Sequence, residues 1–372
     1  MNNFSIPLED FQYYNFLLSI KNIGPKRFKS IVDKFPSIYE LKNVSYQELL
    51  SVDLITQNIA QNLFSSIGKY ESIIQKFAKD YEFYINNNIK IIPYWADNYP
   101  KLLKEIYDPP VIIYIKGELE IQDDYAVAIV GTRMPTPYGK NQTAKFTKDL
   151  IDNNITIVSG LARGIDTITH KTVVENNGRT IAVIGSGIDV HYPAENKYLY
   201  EKIAENGAII TEFPLGTYPD PENFPRRNRI ITGLSVATLI VESRLNGGAM
   251  ISANFAFDQN REVYAIPGNI NSEMSKGPNY LIQNNKAKLV TCAEDIISDL
   301  GLKIKPKVKD ISQFNLGMFE LSIYENLSNE PIHIDEIATK VNISVSDCLV
   351  SLLNLEFEGL IKQLPGKYFI KV

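Results

Sequence analysis

The sequence has few cysteines, few histidines and no long apolar segment. Only two cysteines, Cys292 and Cys348, occur in 372 residues, and neither belongs to a CxxC motif or a Cys/His cluster. A disulfide framework or a metal site is therefore not expected, and a reducing compartment fits. No run of about 18 apolar residues could span a membrane, and the first residues lack the pattern of a secretory signal. We therefore expect a cytoplasmic protein with no cofactor and no membrane partner.

An excess of basic residues is also absent. The formal net charge is −5, which argues against a protein that coats nucleic acid through a broad basic surface. A local basic pocket remains compatible with this charge, because binding depends on the local field and not on the total charge. The length of 372 residues is enough for two or three domains.

Composition divides the chain into four parts. Residues 1–85 indicate short helices, and residues 86–300 alternate strand-like and helical segments. Residues 301–317 form a linker rich in lysine and proline, and residues 318–372 show the helix and hairpin order of a winged helix. We therefore predict an α/β protein with a Rossmann-like, mostly parallel sheet core, an all-helical N-terminal domain and a C-terminal winged-helix domain.

The strands predicted in the middle part are short and rich in β-branched residues. Helical stretches such as 139–153 separate most of them. This alternation predicts right-handed βαβ crossovers and a mostly parallel sheet, whose ligands bind at the carboxyl ends of the strands. The predicted strands are 89–93, 111–115, 126–130, 156–158, 180–184, 208–211, 237–241, 262–266 and 288–290.

Glycine turns follow two of these strands. Gly131, Thr132 and Arg133 come after the strand that ends at residue 130, and Ser159 and Gly160 come after the strand that ends at residue 158. Exposed amides at such turns suit a phosphate, and an arginine adds a charge-assisted contact. A plain turn with a solvated Arg133 explains the first motif equally well.

Small and polar residues near these turns have ordinary explanations. The segment 185–189 (GSGID) offers a third small-residue loop at the same predicted sheet edge. Asp166 lies in a first helical turn, where we favour a capping role. His170 has no nucleophile pattern near it, so we expect it to be structural.

The segment from residue 213 to 243, whose first part is rich in proline, carries the strongest signal. Its prolines predict an extended, stiff loop that ends in arginines where a helix begins. Arginine suits phosphate capture, and an aromatic ring beside it can stack an unpaired base. The residues of this group are Phe224, Arg226, Arg227, Asn228 and Arg229. Alternatively, Phe224 fills the local core and the arginines pair with Glu222 and Glu242.

Two further loops complete the predicted site. Asn246, Gly247 and Gly248 open a helix after a strand and so offer free amides. Lys276 precedes a short helix and supplies a cation, although a solvated loop residue is equally compatible with this position.

Taken together, these motifs resemble the DNA-processing protein A family (DprA, also called Smf). The resemblance runs from about residue 10 to the end of the chain. The segments that carry it are YPKLLKEIYDPPVIIYIKG (99–117), AIVGTR (128–133), SGLARGID (159–166), FPRRNRII (224–231), NGGAMISA (246–253), VYAIPG (263–268) and SKGPNYLI (275–282). The resemblance implies a non-enzymatic homodimer that binds incoming single-stranded DNA and loads RecA recombinase during natural transformation or recombination.

The resemblance also implies roles for particular residues. Arg133, Arg226 and Arg227 would contact phosphates, Phe224 would stack a base, and the glycine loops would line the pocket. The sequence departs from the family at residues 246–248, where Asn-Gly-Gly replaces the more usual Lys-Ser-Gly. This change removes a cation and a hydroxyl from one phosphate contact.

The two flanking parts resemble accessory domains. Residues 16–35 are similar to a helix-hairpin-helix, with the hairpin at Ile23–Lys26, although a structural role like that of a sterile alpha motif is at least as compatible. Residues 1–80 carry nine basic and eight acidic residues, so a DNA contact there would be local and weak. Residues 305–372 carry seven lysines, no arginine and nine acidic residues. We therefore expect this winged helix to contact proteins or to stabilise the chain.

Two enzyme classes share the predicted core. Phosphoribohydrolases of the Lonely Guy type are similar in fold, and they place a glutamate shortly after a glycine loop. Here residues 246–250 are followed by no acid until Asp258, so the general acid/base of that class is missing from the loop. A dinucleotide oxidoreductase needs GxGxxG in its first βα turn, which the residues after 130 do not supply.

Overall fold

The computed structural model describes residues 6–302, 316–328, 330–358 and 360–371. Two compact units divide the chain, Met1–Ile304 and Lys305–Val372. The predicted linker lies outside the described residues, except for its ends at 301–302 and 316–317. The domain boundary predicted at residue 85 falls within the first unit and stays a prediction. Within the described ranges, no helix is both long and apolar enough to cross a bilayer.

From residue 6 onward, where the described part of the chain starts, six helices precede the first strand. They are α1 (Leu8–Ser19), α2 (Pro25–Lys34), α3 (Ile38–Lys42), α4 (Tyr46–Leu50), α5 (Gln57–Ile67) and α6 (Tyr70–Asn86). Serines at the boundaries explain some of the starts: the Ser45 hydroxyl accepts from the Glu48 amide while the Glu48 carboxylate accepts from the Ser45 amide, which is a capping box. Pro25 occupies the first position of α2, where its missing amide hydrogen costs nothing.

The helices pack on the sheet through one shared hydrophobic core. Tyr84 of α6 stacks on Tyr114 of the second strand, with ring centroids 4.6 Å apart. The Tyr114 hydroxyl donates to Oδ1 of Asn15 in α1 at 3.1 Å. Because each buried hydroxyl needs a partner, these contacts fix the helical segment against the sheet.

In the described residues of the first unit, the sheet has nine strands in the order β1-β2-β6-β5-β4-β3-β7-β8-β9. Strands β1 and β2 pair antiparallel with each other, β2 pairs antiparallel with β6, and the remaining pairs are parallel. The strands are β1 (Ile89–Pro93), β2 (Ile112–Gly117), β3 (Val127–Val130), β4 (Ile157–Ser159), β5 (Thr180–Val183), β6 (Gly207–Thr211), β7 (Ala237–Ile240), β8 (Glu262–Ala265) and β9 (Lys288–Leu289). The predicted Rossmann-like, mostly parallel sheet is confirmed.

Helices connect most of these strands, and one more follows the last strand. They are α7 (Lys101–Lys104), α8 (Pro137–Asp152), α9 (Ile165–Glu175), α10 (Lys197–Glu205), α11 (Asn223–Gly233), α12 (Gly248–Asp258), α13 (Lys276–Gln283) and α14 (Ala293–Asp299). Helix α11 corrects the sequence-based expectation of an extended loop up to Arg226, because it already begins at Asn223. Pro225 lies in its first turn, where proline is tolerated because these amides have no helical acceptor.

The strand order places a crevice beside β3. From β3 the chain proceeds through β4, β5 and β6 on one side and then returns to β7 on the other side. Such a reversal separates the loops that follow the two central strands, and ligands of open α/β sheets bind there. The loops after β3 and β7 are therefore the expected walls of a site.

The second unit has its own core. It contains α15 (Met318–Asn326), β10 (Ile332–His333), α16 (Ile334–Val341), α17 (Val345–Phe357), β11 (Ile361–Leu364) and β12 (Tyr368–Lys371). The three strands form a small sheet in the order β10-β12-β11. Asn342 ends α16 in the left-handed conformation, and Ser344 caps α17 by accepting from the Asp347 amide. This arrangement confirms the predicted winged helix.

Candidate functional site

A cleft of about 980 Å³ opens at the carboxyl ends of β3 and β7. The loop after β3, the loop after β7 and one face of α11 form its walls. Most of the residues that the sequence analysis singled out line this cleft. They are Gly131, Thr132, Arg133, Phe224, Arg227, Asn228, Asn246, Gly247, Gly248 and Lys276.

The phase of helix α11 decides which of its residues reach the cleft. Phe224, Arg227, Asn228 and Ile231 line it, and their spacing of three and four residues defines one face of a helix. The Arg133 guanidinium lies 4.8 Å from the centre of the Phe224 ring. The Arg227 guanidinium lies 5.9 Å from the same centre. Two cations and one half-buried ring therefore form a single cluster.

The buried side chain of Arg227 forms the floor of the cleft. Its Nη1 donates to the carbonyl oxygens of Gly160, which follows β4, and Val183, which ends β5. Burial lowers the pKa of Arg227 to about 10, against the opposing effect of Asp166. The guanidinium is thus charged at neutral pH and joins the carboxyl ends of two neighbouring strands.

Ser159 and Gly160 lie beneath the cleft and do not line it. The buried Ser159 hydroxyl donates to the Ile129 carbonyl at 2.7 Å and so links β4 to β3. A Cβ added at Gly160 would lie 2.5 Å from Nη1 of Arg227. Glycine is therefore required at this position for the guanidinium to reach the strand ends.

The loop after β3 is fixed by its neighbours. The Thr132 amide donates to the Glu242 carbonyl at 2.8 Å. Gly164 has φ of 80° and touches the backbone of Thr132 and Arg133, so a side chain there would be both strained and obstructed. The buried Glu242 carboxylate accepts from the Thr136 amide at 2.9 Å and the Thr136 hydroxyl at 2.6 Å.

Arg226 and Arg229 lie on the face of α11 that points away from the cleft lining. Arg229 Nη2 lies 2.6 Å from Oε2 of Glu212, and Arg229 Nε lies 3.6 Å from Oδ2 of Asp108. Arg226 Nη2 lies 3.8 Å from the same Glu212 oxygen, and 60% of the Arg226 side chain is exposed. The alternative partners expected from the sequence, Glu222 and Glu242, are therefore replaced by Glu212. DNA contacts of the two arginines stay a prediction.

Asp166 brings a carboxyl group into the cleft lining. Burial raises the pKa of Asp166 to about 6, although Arg227 and the Ala162 amide oppose this effect. His170 is buried behind it and its Nδ1 lies 2.9 Å from the Thr180 hydroxyl. Burial lowers the pKa of His170 to about 3, so the ring is neutral and belongs to the core.

The opposite wall of the cleft carries a residue that the sequence analysis missed. Arg244 is exposed and lines the cleft after β7, as Arg133 does after β3. Its position after a central strand is the signal that could have identified it. Gly247 gives α12 no side-chain cap, so the first amides of α12 lie at the cleft with the positive end of the helix dipole. Lys276 forms an ion pair with Glu273 at the same wall.

The cleft therefore combines cations, unpaired helix amides and the aromatic rings of Tyr192 and Phe224, which is the chemistry that holds phosphates beside a base. Within the described ranges, histidine, cysteine, aspartate and glutamate form no group of three that could hold a metal ion.

Two family models match the chain. The model of DNA recombination-mediator protein A matches residues 90–301. The model of the DprA winged helix domain matches residues 320–367.

Known relatives cover most of the chain. Protein Smf of Escherichia coli is 36% identical over 289 residues, which are 76% of this chain and 77% of that protein. The X-ray structure of DprA from Streptococcus pneumoniae has a TM-score of 0.64 at 32% identity and covers 79% of this chain and 98% of its own. A structure of DprA from Helicobacter pylori, described for its single-stranded DNA binding mode, has a TM-score of 0.52 at 31% identity and covers 57% of this chain and 95% of its own.

Proposed function

The chain belongs to the DNA recombination-mediator protein A family, and we propose that it binds single-stranded DNA in the cleft between β3 and β7. The family's DNA-processing role and the single-stranded DNA binding of the Helicobacter pylori relative support this proposal. The observation that carries it is the Arg133, Phe224 and Arg227 cluster at the strand-order reversal.

Each part of the cluster suits one part of a nucleotide. Arg133 is exposed and can pair with a phosphate. Arg227 is buried, and its charge acts on the phosphate through the cleft floor at low local dielectric. Phe224 offers a ring for an unpaired base, whereas the bases of a duplex are already stacked and paired. We therefore infer a preference for single strands over duplex.

Phosphate contacts continue along the opposite wall. The start of α12 at Gly248 presents amides to an anion, and Arg244 adds a cation near it. These groups lie beside Asn246, the position where this sequence has asparagine and the family more usually has lysine. In our proposal they supply the attraction that a lysine would otherwise give.

We also propose that the bound strand is passed to a RecA-type recombinase and that the protein acts as a homodimer. The family's description as a recombination mediator supports the first point, and the second rests on family resemblance alone. Sedimentation of the purified chain tests the dimer, and strand exchange by the recombinase on coated DNA tests the transfer.

The phosphoribohydrolase alternative depends on a carboxylate that can act on a glycosidic bond. Asp166 and Glu273 are the carboxylic acids in the cleft lining. Asp166 is buried, and Lys276 pairs with Glu273. We therefore expect no base release from nucleoside monophosphates. Measurable release that disappears in Asp166→Asn would favour the enzyme.

Titration of a labelled single strand and its duplex at two salt concentrations tests the DNA proposal. Anisotropy should show tighter binding of the single strand at both concentrations and weaker binding at the higher one. Equal affinity for the duplex would contradict a site that needs an unstacked base.

A further inference from the structure

A second depression of about 600 Å³ lies between α2 and the segment that connects β1 to β2. We call it the N-terminal groove and define it by its lining residues. The aromatic residues among them are Tyr14, Phe28, Tyr94, Trp95 and Tyr107. The charged ones are Lys26, Lys29, Asp33 and Lys104.

Two aromatic rings of the groove are exposed to solvent. Trp95 is 43% exposed and Tyr107 is 83% exposed. Trp95 is held in place from behind, because its ring stacks on Phe28 with centroids 5.8 Å apart and meets Tyr14 edge-on at 4.9 Å. A rigid indole with an open side is a platform for a planar ligand.

The lysines of the groove stand beside these rings. Lys26 Nζ lies 4.0 Å from the centre of the Tyr107 ring, and Lys104 Nζ lies 5.3 Å from the centre of Tyr94. Within the described part of the chain, Lys26, Lys29 and Lys104 form no ion pair, and Asp33 is the single acid in the lining. The groove is therefore locally basic although the chain as a whole is acidic.

We propose that the N-terminal groove is a second contact for single-stranded DNA, in which bases stack on Trp95 and Tyr107 while the lysines attract the phosphates. Charge complementarity selects this occupant: exposed rings interleaved with unpaired cations fit a single-stranded polyanion. The proposal rests on the proposed function, because it assigns a further part of the same strand to this surface.

The groove is a separate site from the cleft. Leu103 and Ile106 lie against Gly233 of α11, and Asp108 pairs with Arg229. These contacts fall on the face of α11 opposite to Phe224 and Arg227. The segment that carries Tyr107 thus packs on the far side of that helix, and a strand must pass α11 to occupy both sites.

Trp95 gives the test a local signal because it is the only tryptophan in the sequence. The full chain is titrated with thymidine oligonucleotides of about six and about twenty-four residues, a range that brackets the usual site sizes. Anisotropy of a terminal label reports binding, and intrinsic fluorescence reports stacking on Trp95. The long strand should quench the tryptophan as it binds, and the short strand should bind with much less quenching.

Surface variants separate the groove from the rest of the chain. Tyr107→Ala and the double variant Lys26→Ala/Lys104→Ala should each weaken binding of the long strand about five-fold or more and leave the short strand unaffected. Tyr39→Ala, which removes a ring that is 66% exposed outside the groove, is the matched control and should bind both strands normally.

The outcomes are distinct. If the long strand binds while Trp95 emission stays constant and Tyr107→Ala behaves as wild type, the groove proposal is overturned and the cleft proposal stands. If no oligonucleotide binds, the proposed function itself fails. If the emission changes with protein concentration in the absence of DNA, a second copy of the chain occupies the groove and the proposal is also overturned.

Discussion

At the scale of single residues, the ring and the cations of the cleft have different tasks. Phe224 contributes stacking, which does not depend on salt, whereas Arg133 and Arg227 contribute charge, which does. The guanidinium of Arg133 over the Phe224 ring places the two contributions within one nucleotide's length. Substitutions can therefore separate them.

Phe224→Ala should weaken binding of a short single strand by about 1–3 kcal/mol and leave the dependence on salt unchanged. The reason is that the variant removes a stacking surface and no charge. Anisotropy titrations at several salt concentrations measure both quantities. Phe257→Ala, which removes an exposed ring at the far end of α12, serves as the control. Wild-type affinity of Phe224→Ala would assign the ring to the core.

Asp166 should make binding depend on pH. Because burial raises the pKa of Asp166 to about 6, the carboxylate takes up a proton as the pH falls through 6. The loss of this negative charge favours a phosphate in the cleft, so affinity should rise between pH 7.5 and 5. Two charges 4 Å apart interact by about 1 kcal/mol in water. Removing a repulsion of this size between Asp166 and a phosphate corresponds to a gain in affinity of about five-fold.

Asp166→Asn keeps the shape of the side chain and fixes the neutral state. It should bind at pH 7.5 with the affinity that the wild type reaches at pH 5, and its own pH profile should be flat in this range. If the affinity of both proteins changed equally with pH, a group other than Asp166 would be the one that titrates.

Sequence reasoning identified the residue types of the cleft but not all of their directions. Arg133 and Phe224 line it together, as their motifs suggested. Arg226 and Arg229 do not line it. The sequence could not separate these two arginines from Arg227, because the predicted start of the helix was too late for its faces to be assigned. Once α11 is known to start at Asn223, the three- and four-residue spacing separates the two groups.

At the scale of elements, Arg227 connects α11 to the ends of β4 and β5. Arg227→Ala should lower the free energy of unfolding by about 2–6 kcal/mol, because two buried carbonyl oxygens lose their donor at about 1–3 kcal/mol each. Urea unfolding followed by circular dichroism measures this change. Arg226→Ala, one residue away and exposed, should stay within about 0.5 kcal/mol of wild type. Equal stability of the two variants would mean that Arg227 is not structural.

The elements were easier to predict than the site. The strands of the sheet are short β-branched runs between helical segments, and these patterns predicted their positions to within a few residues. The predicted start of α11 was wrong, because prolines weaken the helical pattern of a sequence even where the first turn of a helix tolerates them. Arg244 was missed because a single arginine in a loop is distinctive only after the strand order is known.

At the scale of the whole molecule, the charge is divided unevenly. Residues 305–372 carry seven lysines and nine acidic residues, a net charge of 7 − 9 = −2, and form a unit with its own core. The basic groups that we assign to DNA all belong to the first unit. The winged helix is therefore not required for the cleft to bind a strand.

A chain that ends at residue 304 should bind a short single strand with the affinity of the full chain or slightly more tightly. The reason is that the cleft is complete within the first unit, and the removed unit carries net negative charge. Anisotropy titration measures the affinity, and a thermal melt confirms that the shortened chain is folded. A loss of ten-fold or more would assign the winged helix to the DNA site.

The dependence of affinity on salt tests the central claim most directly, in a comparison of wild type, Arg133→Ala and Arg226→Ala with a single strand of about six nucleotides. The two variants lose the same charge, and only Arg133 lines the cleft. The log–log slope should become shallower by about 0.7 in Arg133→Ala, and the slope of Arg226→Ala reports separately whether its exposed guanidinium also contacts a phosphate. Identical slopes in wild type and Arg133→Ala would contradict a phosphate in this cleft.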